Sequence, residues 1–205
     1  GGERYEGLVG TATHELAHAW FQHLLATDEA AYPWMDEGFT SYIEYLARQK
    51  VLGLIPADKD PFEGAYLGLS YLVKSGANEP TITHSDRYAT NRAYSITAYY
   101  KGMLFLTQLD YIMGNEALMK TLKRYYNTYA FKNPTPNDFI RIAEKVSGMQ
   151  LQWFLNEFME TDHTADYAIE KVEAKGNKTS VTLKRKDRLP LPIDLFVTDV
   201  RSEER

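Results

Sequence analysis

The sequence predicts a mainly α-helical domain followed by a short β segment, and three observations predict it. Apolar residues recur at helical spacing from Leu8 to about residue 161. Helix stop and start signals (Gly53, Gly76, Gly114, Gly148; Asp60-Pro61, Thr135-Pro136) divide that stretch into pieces of ordinary helix length. After Asp166 the pattern changes to alternation with a period of two.

The elements follow in chain order. Leu8, Ala12, Leu16, Trp20 and Leu24 recur every fourth residue, with Val9, Ala17, Phe21 and Leu25 beside them, which predicts a largely buried helix. The next helix is expected over 37–52, with Asp36 as N-cap and Gly53 as stop. Asp60-Pro61-Phe62-Glu63 reads as a capping box that opens a helix reaching Ser75. Residues 77–93 are polar and irregular and read as a loop. Helices are then expected from Ile96 to Met113, from Glu116 to about Tyr129, from Thr135-Pro136 to Gly148, and over the apolar run 151–159. Tyr167 to Glu173 and Thr179 to Lys184 alternate around Lys175-Gly176-Asn177-Lys178, which predicts a hairpin. A third candidate strand runs from Ile193 to Val200. The domain division expected is a helical part, 1–165, and a β part beginning at 166 whose strands are too few to form a core of their own.

Composition narrows the class. Of 205 residues, 44% are hydrophobic and 25% charged, the balance of a packed globular chain. With 23 basic and 28 acidic side chains the net charge is −5, and no basic run is long enough to imply a nucleic-acid footprint; Lys184-Arg185-Lys186 reads as a solvated strand end. There is no cysteine, which excludes disulfides and thiolate metal sites. No apolar stretch approaches the ~18 residues of a membrane span.

The residues that carry chemistry are His14-Glu15-Leu16-Ala17-His18. In a helix, residues four apart lie on one face, ~6 Å apart along the axis, so two imidazoles can converge on one ion. Glu15 is turned about 100° away from His14, which makes it a poor ligand and a good general base for water at the metal. A third ligand is expected in Trp34-Met35-Asp36-Glu37-Gly38-Phe39, where Glu37 follows His18 after 18 residues, enough for a helix end, a turn and an antiparallel return. Asp36 is the rival ligand, though its position favours an N-cap. His23, some 140° around the helix from His18, reads as a surface residue, and His84 and His163 lie in polar stretches. Tyr94 could face the cleft or anchor a loop. Ser70, Ser75 and Ser95 carry no nucleophile signature.

H-E-x-x-H, 18 residues, and Glu within W-x-x-E-G-F together resemble the M1 family of zinc metallopeptidases, the aminopeptidase N-like gluzincins. Tyr99-Tyr100-Lys101-Gly102 resembles that family's Y-x-K-G segment. The resemblance covers most of the chain, from Leu8 to about residue 195. It implies a thermolysin-like helical catalytic domain running into a β-sandwich, one Zn²⁺ on His14, His18 and Glu37, Glu15 as general base, and Tyr99 as the phenol that assists the transition state. It also implies a peptide substrate with a free N-terminus. Two departures are visible. Asp36 stands where family members often have Asn, and Ala19-Trp20-Phe21-Gln22 replaces the usual Q-W-F-G; neither is expected to touch a ligand. The family's amine-binding G-A-M-E-N segment has no counterpart in the 13 residues before His14. The expectation is therefore a catalytic fragment lacking its N-terminal part, whose exposed interdomain surface would drive self-association. The rivals are an endopeptidase, an epoxide hydrolase of the leukotriene-hydrolase type, and a non-catalytic metal-binding fragment. Asn91, where the epoxide-hydrolase branch has an acid, weighs against the second.

Overall fold

The computed structural model describes residues 2–197. The chain divides into two compact units, one ending at Asp162 and the other beginning at His163. The first is helical. Its elements are α1 (Gly2–His18), which continues as a π-helical turn (Ala19–Leu24), α2 (Pro33–Lys50), α3 (Glu63–Lys74), α4 (Asn91–Ser95), a second π-helical turn (Ile96–Lys101), α5 (Gly102–Met113), α6 (Asn115–Tyr129), α7 (Pro136–Ser147) and α8 (Gln152–Met159). The second unit holds β1 (Tyr167–Lys175) and β2 (Lys178–Arg185).

Helix α2 is central to the first unit and packs on α1, α5 and the second π turn. Its core face carries Trp34, Phe39 and Tyr42, each at most 1% exposed. Trp34 meets Phe105 edge-on at 5.3 Å, Phe39 meets Phe139 at 5.0 Å, and Phe105 stacks on Phe154 at 5.2 Å. This aromatic cluster joins α2, α5, α7 and α8, and each such burial is worth about 1.5–3 kcal/mol. The other face of α2 carries Asp36, Glu37, Thr40 and Glu44, so one helix supplies both core and site.

Several sequence expectations need correction. The α1 stripe is not buried: Leu8 is 69%, Leu16 63% and Trp20 44% exposed. Helix α1 meets α2 through its other side, where Gly10, His14, Ala17 and His18 lie. Helix α2 starts earlier than expected, with Pro33 in its first turn and Tyr32 at the N-cap, so Asp36 lies inside the helix and caps nothing. Proline at the first position presets φ and has no N–H to satisfy, and that start signal outweighs the acidic one. Asp60 does not cap α3; its Oδ1 accepts from the Phe62 N–H at 2.8 Å, and Phe62 occupies the N-cap position. The helix expected at Ile96 begins at Asn91, where the Thr90 side chain accepts from the Ala93 N–H. The helix opening at Thr135-Pro136 and its stop at Gly148 are present as read; a capping box of Thr135 and Asp138 starts it, and Gly148 is left-handed (φ +72°).

The two strands are antiparallel, joined by Gly176-Asn177 with Gly176 at φ +61°. Val172 pairs with Val181 and Ile169 with Leu183, and a bulge falls between Ile169 and Lys171. Residues 193–197 of the third candidate strand are not strand, and the rest of it lies outside the described residues. No helix among the described residues is long and apolar enough to cross a membrane.

Candidate metal centre

His14 and His18 lie one turn apart on α1 with ring centroids 4.8 Å apart, edge to face. Their partners on α2 run in the opposite sense: His18 meets Asp36, Glu37 and Thr40, His14 meets Glu37 and Glu44, and Gly10 abuts Glu44 and Arg48. The two helices are thus antiparallel, the return that the 18-residue spacing requires. The Nε2 atoms of both histidines approach one oxygen of Glu37, Oε2, at 3.1 Å from His14 and 3.4 Å from His18. Donor atoms of His14, His18 and Glu37 all lie within 4.8 Å of one another. Two imidazole nitrogens and a carboxylate oxygen converging in this way suit a first-row divalent ion, zinc above all.

The Nδ1 atoms face carboxylates. Glu44 Oε2 is 3.2 Å from Nδ1 of His14, and its other oxygen accepts from Arg48 at 3.2 Å. Asp36 Oδ1 is 2.7 Å from Nδ1 of His18, a contact not expected from the sequence. Thr40 Oγ1 lies 3.2 Å from the same nitrogen. Glu44, Arg48 and Thr40 were missed in the sequence. Their signal was available: Glu44 is seven residues, two turns, beyond Glu37 on the same face.

Electrostatics follow from this crowding. Burial opposes protonation of His14, but the hydrogen bonds to Glu37 and Glu44 outweigh it and raise its pKa to about 9. Burial likewise works against ionised Glu37, yet the bonds from His14 and Tyr99 hold its carboxyl below the usual range. Burial lifts Asp36 to about 6, against the opposing pull of His18.

Tyr99 sits in the second π turn and donates to Glu37 Oε1 at 2.6 Å. A close backbone approach brings it there. A Cβ on Gly38 would lie 2.6 Å from backbone atoms of Gly102, and one on Gly102 would lie 3.0 Å from Cα of Gly38. The glycines after Glu37 and Lys101 are the contact that sets the phenol against the carboxylate. Burial and the Glu37 hydrogen bond push the Tyr99 phenol well above its usual pKa, so it stays a donor. Two depressions flank Tyr99 and Tyr100: one of ≈ 640 Å³ bordered by Arg92, Tyr94 and Ile96, and one of ≈ 340 Å³ bordered by His14, Glu44 and Tyr45.

Glu15 does not join the cluster. It is exposed on α1, and its side chain has no hydrogen bond or ion pair with another described residue. His23 is exposed, its ring 6.2 Å from that of His18. His84 pairs with Asp86 at 2.6 Å, away from the cluster. Tyr94 packs edge-on against Tyr88 at 5.6 Å and lines the larger depression.

Residues 3–158 match the model of the peptidase family M1 domain. The chain belongs to that family. Among similar proteins, aminopeptidase M1-B of Oryza sativa subsp. japonica is 30% identical over 143 residues, 67% of this chain and 16% of the relative. Aminopeptidase N of Streptomyces lividans is 28% identical over 162 residues, 77% of this chain and 19% of that one. The M1 chain thus spans about a sixth to a fifth of the length of these relatives. An M1 zinc metallopeptidase of Deinococcus radiodurans superposes with a TM-score of 0.61 at 22% identity, over 77% of this chain and 34% of that one, which establishes a common fold.

Proposed function

We propose that His14, His18 and Glu37 hold one zinc ion and that the site hydrolyses peptide bonds, releasing N-terminal amino acids. The observation that carries this reading is the convergence of both Nε2 atoms on the single oxygen Glu37 Oε2. The names of the relatives, aminopeptidases of family M1, support the substrate class. Bound zinc would supply Lewis acidity, polarising the scissile carbonyl and lowering the pKa of water toward neutrality.

The chain's own residues supply the rest. Glu15, exposed and without a competing partner, takes a proton from the attacking water and returns it to the departing amine. Tyr99, held protonated, turns its O–H from Glu37 to the oxyanion as charge develops there. The depressions on either side of Tyr99 accommodate the residues flanking the scissile bond. The test measures zinc content together with turnover of amino-acid anilides and of an N-blocked peptide. One zinc per chain and hydrolysis of unblocked substrates alone is the expected result; cleavage of the blocked peptide alone would overturn the aminopeptidase assignment.

A second reading, contact with another polypeptide surface, is favoured by the exposed Leu8 and Leu16 of α1 and Trp20 of the π turn that follows it. Sedimentation of the chain against a Leu8→Lys, Leu16→Lys variant distinguishes a self-associating chain from a monomer.

A further inference from the structure

The larger depression beside Tyr99, of ≈ 640 Å³, is lined by one charged side chain among the described residues, Arg92. The rest of its lining is neutral and includes Tyr94, Tyr99 and Tyr100. Arg92 is exposed, yet Tyr71 of α3 holds it. Its Cζ lies over the Tyr71 ring, 4.7 Å from the centroid, and its Nη1 donates to the Tyr71 hydroxyl at 3.1 Å. A ring face and a phenol steady a guanidinium without neutralising it. No carboxylate pairs with Arg92 among the described residues. Arg48, beside the smaller depression, differs: its Nη1 is bonded to Glu44 at 3.2 Å. Most of the planar N–H fork of Arg92 is therefore available, and a carboxylate is the group that such a fork takes bidentately.

Position sets the scale. Arg92 stands in α4, which runs directly into the π turn that carries Tyr99. The two are seven residues apart, about 10 Å along a helix axis, a length that about three residues of extended peptide span. Every unblocked peptide has a carboxylate at its C-terminus, whereas a guanidinium repels the ammonium at the other end. We propose that Arg92 is a specificity-determining residue that pairs with the C-terminal carboxylate of the substrate. The larger depression then takes the segment after the scissile bond, whose carbonyl the Tyr99 hydroxyl meets. The favoured substrates are short peptides whose free carboxylate lies about three residues beyond that bond. This inference rests on the peptidase reading given above. Because Arg92 is exposed, the preference is sensitive to salt.

The test uses the zinc-loaded chain and analogues of leucyl-alanyl-alanyl-alanine in which a methylene-amine replaces the scissile amide, so that nothing is cleaved. Calorimetry gives dissociation constants for the free acid, for its C-terminal amide, and for an amide whose last residue is glutamate. The free acid should bind about tenfold tighter than the neutral amide, and the advantage should shrink as salt is raised. Arg92→Gln should abolish that advantage and leave the affinity for the neutral amide unchanged. Equal affinity for acid and amide in the parent, or a loss in Arg92→Gln common to both, would overturn the proposal alone. Tighter binding of the glutamate amide than of the free acid would overturn the terminal assignment in favour of an acidic side chain. The comparison within the parent needs no variant, so an Arg92→Gln chain that fails to fold cannot conceal a negative result. Zinc content is measured on the same samples; a chain that takes up no zinc would overturn the peptidase reading itself.

Discussion

Tyr99 and Glu15 differ in what this structure asks of them. Tyr99 is committed, bonded to Glu37 at 2.6 Å, and in the proposed mechanism must exchange that partner for substrate. Glu15 is uncommitted and exposed. Tyr99→Phe should therefore lower kcat about 10²-fold with KM changed much less, because the lost donor acts only on developing charge. Glu15→Gln should keep zinc and lower kcat about 10²–10⁴-fold; turnover at the parent rate would remove Glu15 from the mechanism. Lys101 offers a third measurement. It is 2% exposed, its Nζ reaches the carbonyls of Glu79 at 3.5 Å and Thr161 at 3.3 Å, and burial lowers its pKa to about 8. Between pH 8 and the ordinary lysine value of 10.5 the unfolded chain binds a proton that the folded chain does not, so stability rises with pH across that window. Chemical denaturation from pH 7 to 10.5 should show the parent gaining stability relative to Lys101→Met as the pH rises, since the opposing contribution of His14, whose pKa is raised to about 9, is common to both proteins.

Each helix that bears on the site is held at a defined point. The π turn after His18 exposes carbonyls that a regular helix end would leave unsatisfied, and the 131–133 segment meets them. Phe131 N–H bonds the carbonyl of Leu24, Asn133 N–H that of Leu25 at 3.1 Å, and the Asn133 side chain that of Ala26 at 2.7 Å. Helices α2 and α5 are registered by the Gly38–Gly102 contact, just after the second π turn. Gly38→Ala places a methyl 2.6 Å from backbone that cannot rotate away. It should cost about 1–3 kcal/mol, read as a lower urea midpoint, and should reduce turnover by moving Tyr99 relative to Glu37. A control in the same unit is Thr135→Ala, which removes a capping box far along the chain from the site. It should cost about 1 kcal/mol and leave zinc affinity unchanged.

Over the whole molecule, the three proposed ligands are drawn from two helices, so a bound metal would be a cross-link that the unfolded chain lacks. Zinc at about a hundred times its dissociation constant should add about 2.7 kcal/mol and raise the melting temperature by roughly 5–10 °C. Chelation should reverse the shift. A melting temperature indifferent to zinc in the parent, or a full shift in His14→Ala, would contradict the site. The −5 net charge makes a general attraction of cations the main confounder, and a magnesium control at the same ionic strength separates it.

The sequence by itself singled out the residues proposed as metal ligands and determined most of the helices. Residues four apart on a helix must share a face, capping boxes and left-handed glycines have local causes, and His14, His18, Glu37 and the Thr135–Gly148 helix were legible for those reasons. What only the tertiary structure decided were matters of which face meets which neighbour. The apolar stripe of α1 pointed to burial, but its small-residue side packs on α2 and leaves Leu8 and Leu16 exposed. Asp36 read as a cap because local rules see only its own backbone; placing Pro33 in the first turn carried Asp36 into the helix and against His18. Glu44 and Arg48 became visible only when α1 and α2 were laid antiparallel. The glycines of E-G-F and K-G likewise show no strain of their own, since neither has a left-handed φ. Their reason is an approach so close that a Cβ on Gly38 would lie 2.6 Å from the Gly102 backbone, a requirement between helices far apart in sequence that no single segment can express.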